Sequence, residues 1–364
     1  MHDFKKILVR SPNWIGDQIL AYPFFHYLRE AYPSAQITVV CVPWVESIQF
    51  RNLVDEVIIL PKPAEPDFFT QMKVFEQISK DLRERGPWDL SICLPNSFSS
   101  AWLFFRAQSK RRRGYRSDGR GILLNEPLDW NPAVMSHRAE DFMHLLPKSI
   151  HPSKLRKPIL EFWGLPPLND LDEGIPGVLD FFDAEKAWPH AHPLDAPAEN
   201  FWILAPGSTA ESRRWPLERF ASLAGAIARE TGWKGVLIGG IAEKTLASRL
   251  VEDPTLHLID RTGQGSVASY WKMFRKAKFS VCNDSGLAHV ASLCGSPVQV
   301  VWGAGNPKKT EPIGPGKVRI FFNPVDCWPC ESNSCQQPLD RKLECLKGIH
   351  SEDVWKEIKA GIRI

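Results

Sequence analysis

The chain has 364 residues, a formal net charge of +3, and ordinary fractions of apolar (43%) and charged (24%) residues. This length exceeds the usual size of one domain, and the composition is typical of a folded globular protein, so we expect two domains. The small net charge does not favour nucleic acid as a partner, and no apolar run approaches the roughly 20 residues of a membrane-spanning helix. The N-terminus also lacks a signal-peptide pattern, so we expect a cytoplasmic protein.

Apolar, β-rich runs alternate with helical patterns in the first half of the chain. The predicted strands of this half are residues 5–10, 36–42, 56–60 and 90–95. The predicted helices are residues 18–32, 44–53 and 68–85. Strands interleaved with helices indicate βαβ units, and continuously apolar strands indicate a parallel sheet buried on both faces.

A second alternating set follows residues 166–200, where Pro and Gly are frequent and which we interpret as an interdomain region. Its predicted strands are residues 201–206, 234–240, 256–260, 279–284 and 298–303. Its predicted helices are residues 216–231, 242–251, 266–277 and 286–294. We therefore predict an N-terminal domain over 1–165, a C-terminal domain over 201–350, and a final helix over 351–364 that Ser351 caps.

The turn after the first strand reads SPNWIGDQIL, residues 11–20. Phosphate-binding turns at this place are rich in glycine and backbone N–H groups, whereas this turn has one glycine and then Asp17. A carboxylate would repel a phosphate there. Asp17 is either a helix N-cap or a general base, and local sequence alone favours neither.

The turn APGSTAESRRWP, residues 205–216, has the composition of an anion site. Ser208 and Thr209 offer hydroxyl groups, and Arg213 and Arg214 offer guanidinium groups just before a predicted helix. A surface loop with ordinary arginines is the alternative. The density of donors within a few residues favours a phosphate ligand.

Two further turns of the second half carry polar residues where a strand gives way to a helix. Asp284, Ser285 and Gly286 stand at one of them, with His289 on the first helical turn, where the helix dipole favours an anion. Glu243 stands at the other and either binds a ribose diol or simply favours the helix N-terminus. Phosphate-binding residues in one half and a carboxylate in the other suggest a transferase.

Three of these motifs together resemble the ADP-heptose:lipopolysaccharide heptosyltransferases, most closely heptosyltransferase II. They are SPNWIGDQIL, APGSTAESRRWP and NDSGLAHVASLCGSPVQVVWG, and the resemblance spans about residues 5–350. It implies a GT-B architecture, in which two Rossmann-like α/β domains with parallel sheets face each other across a cleft. It also implies an inverting transfer of heptose from ADP-heptose to the lipopolysaccharide inner core, with heptosyl-Kdo2-lipid A as acceptor.

The resemblance also implies roles for single residues. Asp17 would be the general base, and Arg213, where the family usually has lysine, would neutralise the leaving diphosphate, a role that Arg214 could also take. Glu243 would contact the ribose. The other residues that the resemblance places at the donor are Ser208, Thr209, Asp284, Ser285, Gly286 and His289.

The basic run KRRRGYR, residues 110–116, is either a solvated loop or an anion-binding loop. In the second case Arg113, Arg116 and the nearby Arg120 would bind acidic groups of the acceptor. Asn13 and Trp14, beside Asp17, would either shape the acceptor pocket or simply pack the turn. A basic surface would also favour transient contact with the inner face of the inner membrane. We expect the protein to be peripheral to that membrane.

Eight cysteines divide into two groups. Cys41, Cys93, Cys282 and Cys294 lie in apolar contexts and are expected to be buried thiols. The other four have the spacing C-x2-C-x4-C-x9-C, for which structural zinc, redox-sensitive thiols and simple packing are all open: Cys327, Cys330, Cys335 and Cys345.

We predict that the reaction requires no metal. The one D-x-D sequence, Asp170–Asp172, lies in the Pro-rich region and is interpreted as accidental. The competing functions are a transferase for another nucleotide sugar or for Kdo2-lipid A directly, and a non-catalytic protein that binds nucleotide sugars.

Overall fold

The computed structural model describes residues 3–61, 68–129, 137–147, 150, 179 and 182–361. The described residues form two compact units. The first contains the described residues up to Ile150 together with Glu185–His190, and the second contains Leu179, residues 182–184 and Ala191–Gly361. Most of the predicted interdomain region, including Asp170–Asp172, lies outside the described residues.

The first unit is a six-stranded parallel sheet with the strand order β3-β2-β1-β4-β5-β6. Its strands are β1 (Lys6–Arg10), β2 (Gln36–Cys41), β3 (Glu56–Ile59), β4 (Leu90–Cys93), β5 (Arg112–Arg116) and β6 (Glu126–Asp129). Its helices are α1 (Ile15–Leu20), α2 (Tyr22–Ala31), α3 (Phe68–Arg85), α4 (Phe98–Arg106) and α5 (Arg138–His144), with 3₁₀ turns at Pro43–Ile48 and Arg120–Leu123.

Strand β1 lies at the centre of this sheet because its side chains can be buried on both faces. Ile7, Leu8 and Val9 are fully buried, and β1 pairs in parallel with β2 on one side and β4 on the other. The strand order reverses beside β1. Ligands of open parallel sheets bind outside the carboxyl end of the strands at such a point, which here is the turn that contains Asp17.

The short helix α6 (Ala184–Ala187) precedes residues that pack on the first unit. Arg51 donates its backbone N–H to the Ala187 carbonyl at 2.9 Å, and the His190 ring nitrogen Nε2 lies 3.1 Å from the Ser47 carbonyl oxygen. Residues 185–190 are thus held by the 3₁₀ turn that follows β2 and by the residues just after it.

The second unit repeats the same arrangement, with the strand order β12-β11-β10-β7-β8-β9 and all strands parallel. Its strands are β7 (Phe201–Ala205), β8 (Lys234–Leu237), β9 (Leu258–Asp260), β10 (Ser280–Asn283), β11 (Val298–Val301) and β12 (Val318–Phe321). Its helices are α7 (Leu217–Thr231), α8 (Lys244–Val251), α9 (Trp271–Lys276), α10 (Gly286–Leu293), α11 (Pro307–Thr310), α12 (Glu344–Lys347) and α13 (Ser351–Gly361).

Helix α13 belongs to the hydrophobic core of the second unit. Val354, Trp355 and Ile358 are buried in the same cluster as Trp215 and other core side chains of this unit. The Trp355 indole N–H also donates to Glu230 at 2.8 Å. The last helix therefore stabilises this unit directly.

The predicted α/β class with two parallel sheets is confirmed, and the differences are local. The helix predicted over 18–32 begins earlier, at Ile15, and divides into α1 and α2 at Ala21. The helix predicted over 44–53 is a shorter 3₁₀ turn. No helix in the described ranges is both long and apolar enough to cross a bilayer.

The interpretation of residues 110–116 as a solvated loop is wrong, because Arg112–Arg116 form the inner strand β5. The central residues of β5 are buried even though the strand contains three arginines. The Arg113 guanidinium is satisfied there by the carbonyl oxygens of Leu145 and Leu146 and by Glu126.

Candidate active site

In the first unit, Asp17 lies in the first turn of α1. The N-cap position is occupied by Trp14, which makes no side-chain capping bond, so the N-cap interpretation of Asp17 is wrong. Asp17 is half-buried and stands just beyond the carboxyl end of β1. A carboxylate within the first helical turn is also stabilised by the helix dipole.

A buried arginine holds the turn between β1 and α1. Arg10 donates to the backbone carbonyls of Ser11 (2.6 Å) and Val40 (3.2 Å) and to Asn13 Oδ1 (2.5 Å). Burial lowers the pKa of Arg10 to about 10, and no carboxylate pairs with it in the described part of the chain. Three hydrogen bonds from one guanidinium fix the backbone from which Asp17 projects.

The two predicted acceptor residues of this turn are placed differently. Asn13 is engaged in the turn, because its side chain accepts from Arg10 and its carbonyl accepts from the Trp44 indole N–H at 2.6 Å. Trp14 is 61% exposed and Trp44 is 47% exposed, which is unusual for indole rings. Two exposed tryptophans beside Asp17 therefore offer an apolar surface to a ligand.

In the second unit, the turn after β7 carries Ser208, Thr209 and the two arginines. Ser208 is buried and its hydroxyl lies 3.4 Å from the Asp284 carbonyl oxygen, whereas Thr209 is exposed. Arg214 donates to the carbonyls of Ser208 (2.6 Å) and Thr209 (3.2 Å). Arg214 thus supports the turn through the backbone.

The end of β10 and the start of α10 bring together buried polar atoms that the protein itself does not satisfy. Asp284 Oδ2, Ser285 Oγ and His289 Nδ1 are buried and make no hydrogen bond in this structure. Buried polar atoms normally have partners, so such a group within six residues indicates a site for a hydroxyl-rich or anionic ligand. Gly286 opens α10 there, and its helix dipole favours negative charge.

Burial controls the charge of these groups. It raises the pKa of Asp284 to about 6, an effect that the nearby Arg213 opposes. Burial and, to a smaller extent, the charge of Arg213 together lower the pKa of His289 to about 3. Near neutral pH the site therefore holds an ionised carboxylate, a neutral imidazole and a guanidinium.

Arg213 is the cation of this site. Its Nε lies 3.4 Å from Asp284 Oδ2 without the geometry of a hydrogen bond, and its side chain is 32% exposed. The contact is a loose ion pair that leaves most guanidinium N–H groups available. Arg213 can hold Asp284 in its ionised form and contact a bound anion with the same group.

Glu243 lies over the turn after β7. A Cβ atom added to Gly207 would come within 2.6 Å of the Glu243 side chain, so only glycine permits this close approach. The Glu243 carboxylate therefore belongs to the same site as Ser208 and Thr209. Such an acid beside a phosphate-binding turn can accept hydrogen bonds from a ribose diol.

Residues that the sequence did not single out complete this site. Asn283 donates to the Pro206 carbonyl (2.6 Å) and accepts from the Trp215 N–H (3.0 Å), which closes the turn after β7. Gly305 lies against Asp284, since a Cβ there would approach Asp284 Oδ2 to 2.4 Å. In the sequence, the glycines of the segment GAG, residues 303–305 after β11, could have indicated the close contact between Gly305 and Asp284.

The three arginines predicted to bind the acceptor have different surroundings. Arg120 is fully buried and donates to the carbonyl oxygens of Tyr115 and Pro95 and to Asn96 Oδ1. Arg113 is buried in β5, and Arg116 is exposed, with its guanidinium 3.8 Å from Asp129. The geometry supports acceptor binding only for Arg116, because the other two guanidiniums are used within the fold.

The four clustered cysteines are free thiols close to one another. Burial and, to a smaller extent, interactions with Cys327, Cys330 and Cys335 together raise the pKa of Cys345 to about 11. Across the described ranges, however, no three His, Cys, Asp or Glu side chains are arranged to hold a metal ion. The thiols as placed do not fit a zinc site.

The other four cysteines are buried as expected. Cys41, Cys93, Cys282 and Cys294 are free, and burial raises the pKa of each thiol above its ordinary value.

The chain is similar to several known heptosyltransferases. A lipooligosaccharide heptosyltransferase 2 of Haemophilus ducreyi is 28% identical over 326 residues, covering 86% of this chain and 88% of that protein. A lipopolysaccharide heptosyltransferase 2 of Escherichia coli is 27% identical over 324 residues, covering 87% of each. The solved structure of E. coli ADP-heptose LPS heptosyltransferase II superposes with a TM-score of 0.71, covers 98% of both chains and is 22% identical, which supports the GT-B fold class.

Residues 76–339 match the family described as glycosyltransferase family 9 (heptosyltransferase). The chain belongs to that family.

Proposed function

We propose that the chain transfers L-glycero-D-manno-heptose from ADP-heptose to the inner core of lipopolysaccharide, with heptosyl-Kdo2-lipid A as the acceptor. The observation that carries the proposal is the group of buried, unsatisfied polar atoms of Asp284, Ser285 and His289 beside Arg213. A sugar offers hydroxyl groups to such atoms, and a diphosphate offers charge to the guanidinium.

In the proposed donor complex each group has one task. Asp284 and His289 bind heptose hydroxyls, and the N-terminus of α10 with Ser285 and Gly286 faces the diphosphate. Ser208 and Thr209 also bind phosphate, while Arg214 keeps their turn in shape through its two backbone contacts. Glu243 receives the ribose hydroxyls above Gly207.

The proposed reaction is one displacement with inversion at the anomeric carbon. Asp17 removes the proton of the acceptor hydroxyl as its oxygen forms the new bond to that carbon. The bond from the anomeric carbon to the phosphate oxygen breaks, and ADP leaves with the electron pair. Arg213 and the α10 dipole stabilise the negative charge that develops on the leaving diphosphate.

The proposal gives the transfer step no metal or other cofactor, because Arg213 and the N-terminus of α10 already supply positive charge at the leaving group. Turnover that persists after exhaustive treatment with EDTA is the expected result. Loss of turnover that Mg²⁺ restores would contradict this part of the proposal.

On the acceptor side we propose that Trp14 packs on the inner-core sugars, while Asn13 shapes the turn beneath it. Arg116, the exposed arginine of β5, is the proposed contact for an acidic group of the acceptor. Because this acceptor is a membrane lipid, we also propose a cytoplasmic protein in transient contact with the inner face of the inner membrane.

Product analysis with defined substrates tests the function. We expect one heptose to be added to heptosyl-Kdo2-lipid A from ADP-heptose, and none to be added from UDP-glucose. Turnover only with a UDP-sugar, or only with Kdo2-lipid A lacking heptose, would replace the proposed reaction by a related one. ADP binding without turnover on any acceptor would indicate a binding protein.

The general base is tested by Asp17→Asn, which keeps the shape of the side chain and removes its basicity. We expect kcat to fall by roughly 10²–10⁴, the usual contribution of a positioned base, with unchanged binding of ADP. Asp326→Asn is the matched control, because Asp326 has a 93% exposed side chain in the second unit. An Asp17→Asn variant with near wild-type kcat would exclude this role.

A further inference from the structure

One face of helix α4 presents aromatic side chains to solvent. Phe98, Trp102 and Phe105 follow one another at the spacing of a single helix face, and their rings lie 6.4 Å and 5.9 Å apart. Phe98 is 40% exposed and Phe105 is 43% exposed. We call these three residues the aromatic face. Trp102, between Phe98 and Phe105, is partly exposed and packs on the core of this unit. Large aromatic rings are usually buried, so two exposed rings on either side of Trp102 indicate a surface for a partner.

Arginines stand around the aromatic face. Arg106 lies over the Trp102 ring at 5.8 Å, and Arg112 lies over the Phe105 ring at 5.6 Å. Arg83 of helix α3 joins Arg106 and Arg112 in lining one open pocket with Phe105 and Gln108. A surface of guanidinium groups stacked on aromatic rings can bind both apolar groups and phosphate. The rings offer apolar surface, and the guanidinium groups keep free N–H donors for phosphate oxygens.

Two of these three guanidiniums, those of Arg83 and Arg112, make no ion pair within the described residues. Arg106 is paired with Glu76. Arg112 donates to the carbonyls of Leu123 (2.7 Å) and Ser109 (2.6 Å), and neither it nor Arg83 pairs with a carboxylate in the part of the chain described. The charge of Glu76 also acts on Arg83 without a direct ion pair, and Asp118 accepts from the Phe98 backbone N–H. The pocket therefore keeps excess positive charge.

The apolar surface continues past the helix. Arg112 lies between the Phe105 ring and the carbonyl of Leu123, and the neighbouring Ile122 is 85% exposed. By contrast, the basic residues Lys110 and Arg111 in the next part of the chain are paired with Asp89 and Glu126. The free positive charge is thus located at the aromatic face.

We propose that the aromatic face, with Arg83 and Arg112, is the surface by which this chain docks on an anionic lipid bilayer. The rings enter the boundary between headgroups and acyl chains, and the arginine pocket takes a lipid phosphate. Charge complementarity selects this occupant, because a row of rings edged by unpaired guanidiniums matches an apolar layer edged by phosphates. This inference rests on the proposed function in one respect: docking on the bilayer would give the protein access to a lipid acceptor.

Vesicle co-sedimentation without any acceptor tests the proposal. The wild-type chain is expected to bind vesicles of phosphatidylcholine with about one-third phosphatidylglycerol, and to bind less as salt is raised. Arg83→Gln should lower the partition coefficient about fivefold on anionic vesicles and leave binding to neutral vesicles unchanged. Phe105→Ser should lower it about fivefold on both kinds of vesicle, because the ring is half-exposed and enters the bilayer only in part.

Matched controls lie in the second unit. Leu339→Ser removes an 87% exposed side chain, and Arg249→Gln removes an exposed guanidinium, and both should bind vesicles like wild type. Thermal unfolding of each variant checks the fold. Absence of wild-type binding to anionic vesicles, or equal losses in test and control variants, would overturn the proposal.

Two other results would replace the bilayer by a different occupant. Displacement of the protein from vesicles by inorganic phosphate, but not by chloride at equal ionic strength, would make the pocket a site for free phosphate. A dimer in sedimentation velocity that Phe105→Ser dissociates would make the aromatic face a contact between copies. Arg83→Gln and Phe105→Ser should both retain turnover on a soluble, deacylated acceptor. This assay therefore distinguishes a failure of the proposed reaction from a failure of membrane docking.

Discussion

Asp284→Asn is expected to make the protein more stable and less active at the same time. Burial raises the pKa of Asp284 from 3.8 to about 6, so the Asp284 carboxylate binds a proton more tightly in the folded protein than in the unfolded chain. The stabilising effect is complete below pH 3.8 and is lost as the pH rises through about 6. Above pH 7 the ionised carboxyl costs about 3 kcal/mol, the value that corresponds to this change in pKa.

The asparagine side chain avoids that cost but introduces a buried amide. Because Asp284 Oδ2 has no hydrogen-bond partner, an amide at this place is also unsatisfied in part, and this reduces the gain. We expect a net gain of about 1–2 kcal/mol at pH 8, which corresponds to a rise in Tm of roughly 2–8 °C for a unit of this size.

The assay is calorimetric unfolding of both proteins between pH 4 and pH 8, together with kcat/KM for ADP-heptose. At low pH the asparagine variant should be less stable than wild type by about 1–2 kcal/mol, the cost of the buried amide. The difference should shift by about 3 kcal/mol in favour of the variant as the pH passes through about 6, and then become constant. Activity should fall, because the amide cannot accept from sugar hydroxyls at both atoms. A stability difference that does not depend on pH would refute the assignment of the cost to ionisation of Asp284.

Three further predictions concern single positions. Arg213→Lys should keep kcat within about tenfold of wild type, whereas Arg213→Gln should lose about a hundredfold, and equal losses would contradict a role based on charge. Gly305→Ala should raise the KM for ADP-heptose, because a Cβ there would approach Asp284 Oδ2 to 2.4 Å; an unchanged KM would show that the segment moves freely. Iodoacetamide should label exposed Cys330 long before buried Cys41 and Cys282, as peptide mass analysis will show, and protection of Cys330 that a chelator removes would indicate a bound metal.

Most of the fold could be predicted because the central strands are continuously apolar. β1, β2, β4, β7 and β10 are buried almost throughout, and most of their residues taken together are apolar. β5 was not predicted, because RRGYR has the composition of an exposed loop. Its burial depends on carbonyl oxygens of Leu145 and Leu146, which are remote in sequence and could not be foreseen.

In the candidate site, too, some residues could be predicted from the sequence and others could not. Residues at the ends of strands, such as Asp17 and Asp284, could be named because parallel sheets present ligands at that edge. Asn283 was missed because its two partners, Pro206 and Trp215, are distant in the chain. Arg120 was predicted to bind the acceptor because the sequence does not reveal that carbonyl oxygens of the same fold enclose its guanidinium.

Asn283 has a consequence for how this chain can vary. One amide side chain binds the backbone on both sides of residues 207–214, at Pro206 and at Trp215. The span between these two points is therefore set by the size of a single side chain. Residues within the segment can be substituted, as Arg213 in place of the family's usual lysine illustrates. An inserted or deleted residue, however, would have to be accommodated without a change in the distance between Pro206 and Trp215. Engineering of donor preference in this segment should therefore exchange residues and keep its length.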